Sequence, residues 1–139
     1  MNILQLLSSL DSDISVRAVA AHSKVLKDNN WNSYVFAPLG RELSYFKRWG
    51  SEIVSQRLSS LDIVYSKATI KEICGIVSSN SITILHVYDM SGYRAALQVQ
   101  KTCSIKIIMS LLQKKLEQSV VCLLYTSDAA DDLLCVDLG

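Results

Sequence analysis

The residues best able to do chemistry gather at the end of one apolar run. His86-Val87-Tyr88-Asp89 closes the stretch that begins at Ile82, and the turn Asp89-Met90-Ser91-Gly92 follows. A strand-end imidazole beside a turn carboxylate can orient a sugar hydroxyl or assist proton transfer. The same residues have a plainer reading, with Asp89 as the N-cap of the next helix and His86 hydrogen-bonded to backbone. The two readings are compatible. Arg94, close behind, can reach a phosphate or simply be solvated. A second set lies in the loop from Ser8 to Ser15, where Ser9, Asp11 and Ser12 present hydroxyls and a carboxylate just ahead of a helix. Such a helix N-terminus can hold an anion, although the aspartates oppose it and capping explains the same residue types. No residue declares itself catalytic.

Several chemistries are argued against. The Ser8–Ser15 loop contains no glycine, so neither the G-x-G-x-x-G of a dinucleotide site nor a Walker A loop is present there. No bound cofactor is therefore expected. The four cysteines, Cys74, Cys103, Cys122 and Cys135, form no C-x-x-C pair and have no histidine at zinc-ligand spacing. No metal site is expected, and Cys74 and Cys103 read as small buried hydrophobes. The basic pairs Lys47-Arg48 and Lys114-Lys115 read as solvated, with no nucleic-acid partner implied, and Phe46 and Trp49 read as core.

The elements that must position these residues follow from periodicity. Ile3 to Leu7 is a continuous apolar run ending in turn residues, the pattern of a strand buried on both faces. Ser33 to Ala37, Glu52 to Ser55, Ile82 to Val87 and Ile105 to Met109 are further strands. Between them a helix capped by Ser15 carries Val16, Val19, Ala20, Val25 and Leu26. Arg41 to Trp49 is helical and closed by Gly50, Leu61 to Val77 carries a stripe of Ile70, Ile73, Cys74 and Val77, and Tyr93 to Thr102 is helical. Apolar strands alternating with helices specify an α/β fold, a Rossmann-like doubly wound parallel sheet. Ligands bind such sheets outside the carboxyl ends of the strands.

The C-terminal stretch has a different character. From Cys122 onward every charge is acidic, and the apolar residues follow no period of two or 3.6. It reads as a translated sequencing adapter. TGT CTC TTA TAC ACA TCT GAC GCT GCC GAC encodes Cys122 to Asp131, and GTA GAT CTC GGT encodes Val136 to Gly139. On that reading 1–112 is the native domain, 113–121 its uncertain end and 122–139 a non-native tail, excluded from fold reasoning. The whole chain carries 14 basic and 13 acidic residues, a net charge of +1. Without the four tail aspartates, residues 1–121 carry 14 basic against 9 acidic, a net charge of +5. That mild excess suits a phosphorylated ligand or an anionic membrane surface. No apolar run reaches the length of a membrane span, and the start has no basic n-region or cleavage site. A cytoplasmic location is expected, with peripheral contact on the cytoplasmic membrane face left open.

Two stretches resemble the first domain of family 4 glycosyltransferases of the GT-B fold. One is Asn2-Ile3-Leu4-Gln5-Leu6-Leu7-Ser8-Ser9-Leu10 with the later Ser33-Tyr34-Val35-Phe36-Ala37-Pro38. The other is Ile84-Leu85-His86-Val87-Tyr88-Asp89 through Leu97, followed by Ile105-Lys106-Ile107-Ile108-Met109-Ser110-Leu111. The resemblance covers residues 1 to 112 and implies an acceptor-binding half-domain, here incomplete. A second domain would hold the nucleotide-sugar donor, and transfer to a sugar or lipid-linked acceptor would occur between them, usually without metal. Ser8–Ser15 would match the family's first glycine-rich loop, and His86 and Asp89 its strand-end motif. The chain departs from the pattern at Asp11-Ser12-Asp13, which replaces a glycine pair, and at Leu112, where a histidine often stands. The missing donor domain implies a fragment with no transferase activity alone, whose edge after Met109 is exposed. The rival reading is a non-catalytic flavodoxin-like or receiver-like signalling or binding module.

Overall fold

The computed structural model describes residues 1–8, 13–38, 43–54, 65–111 and 121–123. Within them the chain runs β1 (Asn2–Leu6), α1 (Asp13–Asp28), β2 (Asn32–Phe36), α2 (Leu43–Arg48), β3 (Ser51–Ile53), α3 (Lys67–Ser79), β4 (Ile84–Val87), α4 (Met90–Gln100), β5 (Lys106–Leu111) and β6 (Val121–Leu123). The sheet order is β3-β2-β1-β4-β5-β6. The first five strands are parallel, as the apolar runs predict, and β6 pairs antiparallel to β5. The fold is a Rossmann-like α/β sheet with helices on both faces. Strand β5 is therefore not the exposed edge expected after Met109, because Leu111 lies opposite Val121 and Ser110 opposite Cys122. The proposed tail boundary at 122 falls inside β6; residues 124–139 lie outside the described set.

Each strand alternates its side chains between two cores. Leu4, Leu6, Phe36, Leu85, Val87, Ile107 and Met109 face α3 and α4, where they meet Ile73, Val77, Ala96 and Val99. Leu7, Val35, Ala37 and Tyr88 pack with Val16, Val19 and Ala20 of α1 and with Leu43 and Phe46 of α2. Burial on both sides is why the strand residues lack an apolar–polar alternation.

Several expected boundaries shift. Helix α1 starts at Asp13, so Ser15 lies inside its first turn and not at its cap. Val25 is exposed and Leu26 half-buried, because the buried stripe ends at Ser23. Strand β3 is Ser51–Ile53, paired with Ser33–Val35 of β2, not Glu52–Ser55. Strand β4 starts at Ile84, since Ile82 and Thr83 lead out of the left-handed turn at Ser81. Helix α3 begins after the Ser66 cap, and Leu61 to Val64 are outside the described residues. Helix α4 begins at Met90, three residues early, because Asp89 caps it directly. Phe46 is core, but Trp49 sits one residue past α2 and is 37% exposed. Gly50 then turns the chain at φ +88°, as expected of a residue closing that helix.

The two cysteines differ from expectation as well. Both are only partly buried, and Cys74 Sγ lies 3.4 Å from Oγ1 of Thr102, the residue before Cys103. Burial, then the nearby Cys74 thiol, raises the Cys103 thiol above its usual value.

The two-core arrangement predicts how truncations divide. Phe46→Ala should destabilise the protein by about 3–5 kcal/mol, whereas Val25→Ala, on the exposed side of the same layer, should stay within about 0.5 kcal/mol. Urea unfolding midpoints of the two variants check the difference.

Candidate functional site

In the order β3-β2-β1-β4-β5 the crossovers turn to opposite sides between β1 and β4, the switch point where open α/β sheets bind ligands. The parallel register pairs Gln5 with His86 and Leu6 with Val87, so both strands release their chains at one rim. There Ser8 Oγ donates to Asp89 Oδ2 at 2.5 Å, and the Ser8 amide reaches the same oxygen at 3.3 Å. The other carboxylate oxygen, Oδ1, accepts the Gly92 amide at 2.7 Å and caps α4. One carboxylate thus joins two strand ends to a helix N-terminus.

Tyr65 stands against the same point, its hydroxyl beside the position a Gly92 Cβ would occupy. That hydroxyl is buried and has no hydrogen-bond partner among the described residues. Burial, reinforced by the Asp89 carboxylate, holds the phenol above its usual value, so it remains a neutral donor. A buried polar atom without a partner costs about 1–3 kcal/mol.

His86 lies one layer inward, in β4 itself. It is 9% exposed, and its ring stacks with those of His22 and Tyr88 at centroid separations of 5.0 and 4.4 Å. Its bonds are not to backbone. Nε2 is 2.9 Å from Ser110 Oγ and Nδ1 is 3.1 Å from Tyr88 Oη. Tyr88 Oη donates to Gln5 Oε1 at 2.6 Å, so the imidazoles of His86 and His22, the latter at 2.8 Å, donate to it through Nδ1–H. Gln5 Nε2 donates in turn to Ser23 and Ser33, and Ser51 bridges these two serines. This buried polar chain lies between the sheet and α1.

Of the sequence candidates, Asp89 stands at the rim, and His86 sits behind it under α1. Arg94 is exposed in the second turn of α4 and takes no part in the Ser8–Asp89 bridge. Ser9, Asp11 and Ser12 lie outside the described residues, as does Leu112. Tyr65, Gln5, His22, Tyr88 and Ser110 were not legible as partners. The one signal in sequence was Gln5, a lone polar residue within an apolar run. Among the described residues no group of three or more His, Cys, Asp or Glu could hold a metal, and no helix is long and apolar enough to cross a membrane.

No family model and no curated protein sequence matches the chain. Solved structures do. A glycosyltransferase from Rickettsia africae ESF-5 superimposes with a TM-score of 0.65 at 15% identity, over 82% of this chain and 31% of that one. A triple mutant of a deacetylase (Orf2*T) of the teicoplanin biosynthetic pathway gives 0.60 at 10% identity, covering 80% and 64%. A universal stress protein from Archaeoglobus fulgidus, in complex with dAMP, gives 0.50 at 13% identity, covering 78% and 96%. The likeness is one of fold. The chain spans about a third of the length of that glycosyltransferase.

Two predictions follow from the site. Burial first, and His22 second, lower the His86 pKa to about 3, and burial also lowers that of His22. His86 is neutral when folded and takes up a proton when unfolded below about pH 6.5. Stability is therefore complete above pH 6.5 and is lost as pH falls from there toward 3, by about 1.4 kcal/mol per pH unit at most for this group, with His22 acting in the same direction. Urea titrations from pH 7 to 4 should show that slope, and His86→Gln should flatten it; an unchanged slope would place the titrating group elsewhere. Asp89→Ala should cost about 1–2 kcal/mol through the lost cap, while Asp89→Asn retains the cap and costs less, as thermal melts will show.

Proposed function

We propose that this chain is the acceptor-binding half of a GT-B type glycosyltransferase of family 4. The observation that carries the reading is the bridge from Ser8 to Asp89 across the β1–β4 switch point, with the unpartnered Tyr65 hydroxyl beside it. The fold likeness to part of a glycosyltransferase chain supports it. Asp89 keeps lone-pair capacity on both oxygens and can accept from an acceptor hydroxyl, while the buried Tyr65 packs behind it. His86 and Tyr88 brace the strand end from below. The nucleotide-sugar donor would belong to a second domain, and the acceptor is a sugar or a lipid-linked sugar met at the cytoplasmic membrane face. On this reading residues 1–112 form this half.

A second reading, a stand-alone binding module, is favoured by one observation: a universal stress protein chain is matched over 96% of its length, so a unit of this size can stand by itself. Saturation-transfer NMR on the full chain separates the two. Mono- and disaccharides should show transfer, and UDP-glucose and dAMP little. Asp89→Asn, which retains the helix cap, should weaken saccharide binding about tenfold, the worth of one hydrogen bond, without changing the circular dichroism spectrum. Binding of dAMP with no saccharide signal would favour the second reading.

A further inference from the structure

Away from the strand-end rim, α1 and α2 enclose a groove of about 580 Å³, within the roughly 300–1,000 Å³ range of small-molecule sites. Its floor is Val16, Ala20 and Ala21, whose short side chains leave room above α1. Its wall is Tyr45 and Trp49, four residues apart, 54% and 37% exposed, with no aromatic pairing between them. Arg17 and Lys24 mark the two ends, seven residues or about 10 Å apart along α1. These two cations are not equivalent. Lys24 is tied to Asp28 at 2.5 Å in the one ion pair among the described residues. Arg17 is exposed and has no acidic partner among them. The groove therefore offers flat aromatic walls, an apolar floor and a single uncommitted guanidinium at one end.

We propose that this groove binds a planar aromatic anion, with the ring system against Tyr45 and Trp49 and its acidic group on Arg17. Guanidinium pairs carboxylate, sulfonate or phosphate oxygens through two parallel N–H donors, and exposed indole and phenol rings stack on flat ligands. The site is independent of the glycosyl-transfer reading.

The probe is 8-anilino-1-naphthalenesulfonate, titrated into the full chain beside N-phenyl-1-naphthylamine, which has the same rings and no charge. The sulfonate should bind saturably at one site. Trp49→Ala should weaken both dyes, and Trp31→Phe, outside the groove, should weaken neither. Arg17→Gln should weaken the sulfonate about tenfold and leave the neutral dye unchanged, and Ala21→Phe, at an exposed position, should exclude both. Circular dichroism and melting temperature confirm that each variant folds. No saturable binding, binding insensitive to Ala21→Phe, or an Arg17→Gln effect equal for both dyes would overturn the proposal. So would absence of dye binding accompanied by co-sedimentation with phosphatidylglycerol vesicles, or by self-association lost in Ala21→Phe, since the groove would then serve a lipid surface or a second copy.

Discussion

The parallel pairing of β1 with β4 is the constraint on which the molecule turns. The two strands are some eighty residues apart in sequence, and Ile3 to Leu6 lie opposite Ile84 to Val87. A slip of one residue would exchange the faces of β4, exposing Leu85 and Val87 to the α1 side and turning His86 into the apolar core. With the register fixed, the chain leaves both strands at one rim. The Ser8–Asp89 bridge is a consequence of that register, and so is the capped start of α4.

The α1 face is unusual in being held by polar as well as apolar groups. Gln5, Ser23, Ser33 and Ser51 are each buried and hydrogen-bonded to one another, and the His22, His86 and Tyr88 rings extend the network toward the site. Hydrogen bonds of this kind add about 1 kcal/mol each when complete and cost more when one partner is removed. Their small side chains let α1 lie close over β1 and β2, while the directional bonds fix where it lies. The network also explains why His86 is neutral: its two ring nitrogens already have complementary partners, and a further proton would be buried beside His22. What the network rigidifies is the platform under Asp89.

Much of this was readable from residue types. The five parallel strands announced themselves because burial on both faces leaves uninterrupted apolar runs, and Asp89 was recognisable as a cap because Asp-x-x-Gly precedes an apolar helical stripe. Helix starts were less legible: Met90-Ser91-Gly92 resembles a turn until the Asp89 carboxylate is seen to accept the Gly92 amide. The side-chain network was not legible at all. Its members are separated by up to 83 residues, and a serine or tyrosine in a strand carries no sign of its partner. Tyr65 escaped for the same reason, its place near Asp89 being set by the packing of α3 and α4. Trp49 was misjudged because helical spacing places it on the Phe46 side, whereas α2 ends at Arg48 and the indole stays partly open to solvent.

The central claim is that β1 and β4 pair in parallel with Gln5 opposite His86. Nuclear Overhauser spectroscopy of the isotopically labelled chain tests it directly. Cross-strand contacts linking the backbones of Leu4 and Gln5 with those of Leu85 and His86, together with slow amide exchange on both strands, are the predicted result. Contacts placing β1 beside β5, or joining β1 to β4 in antiparallel sense, would contradict it and remove the shared rim on which the site depends.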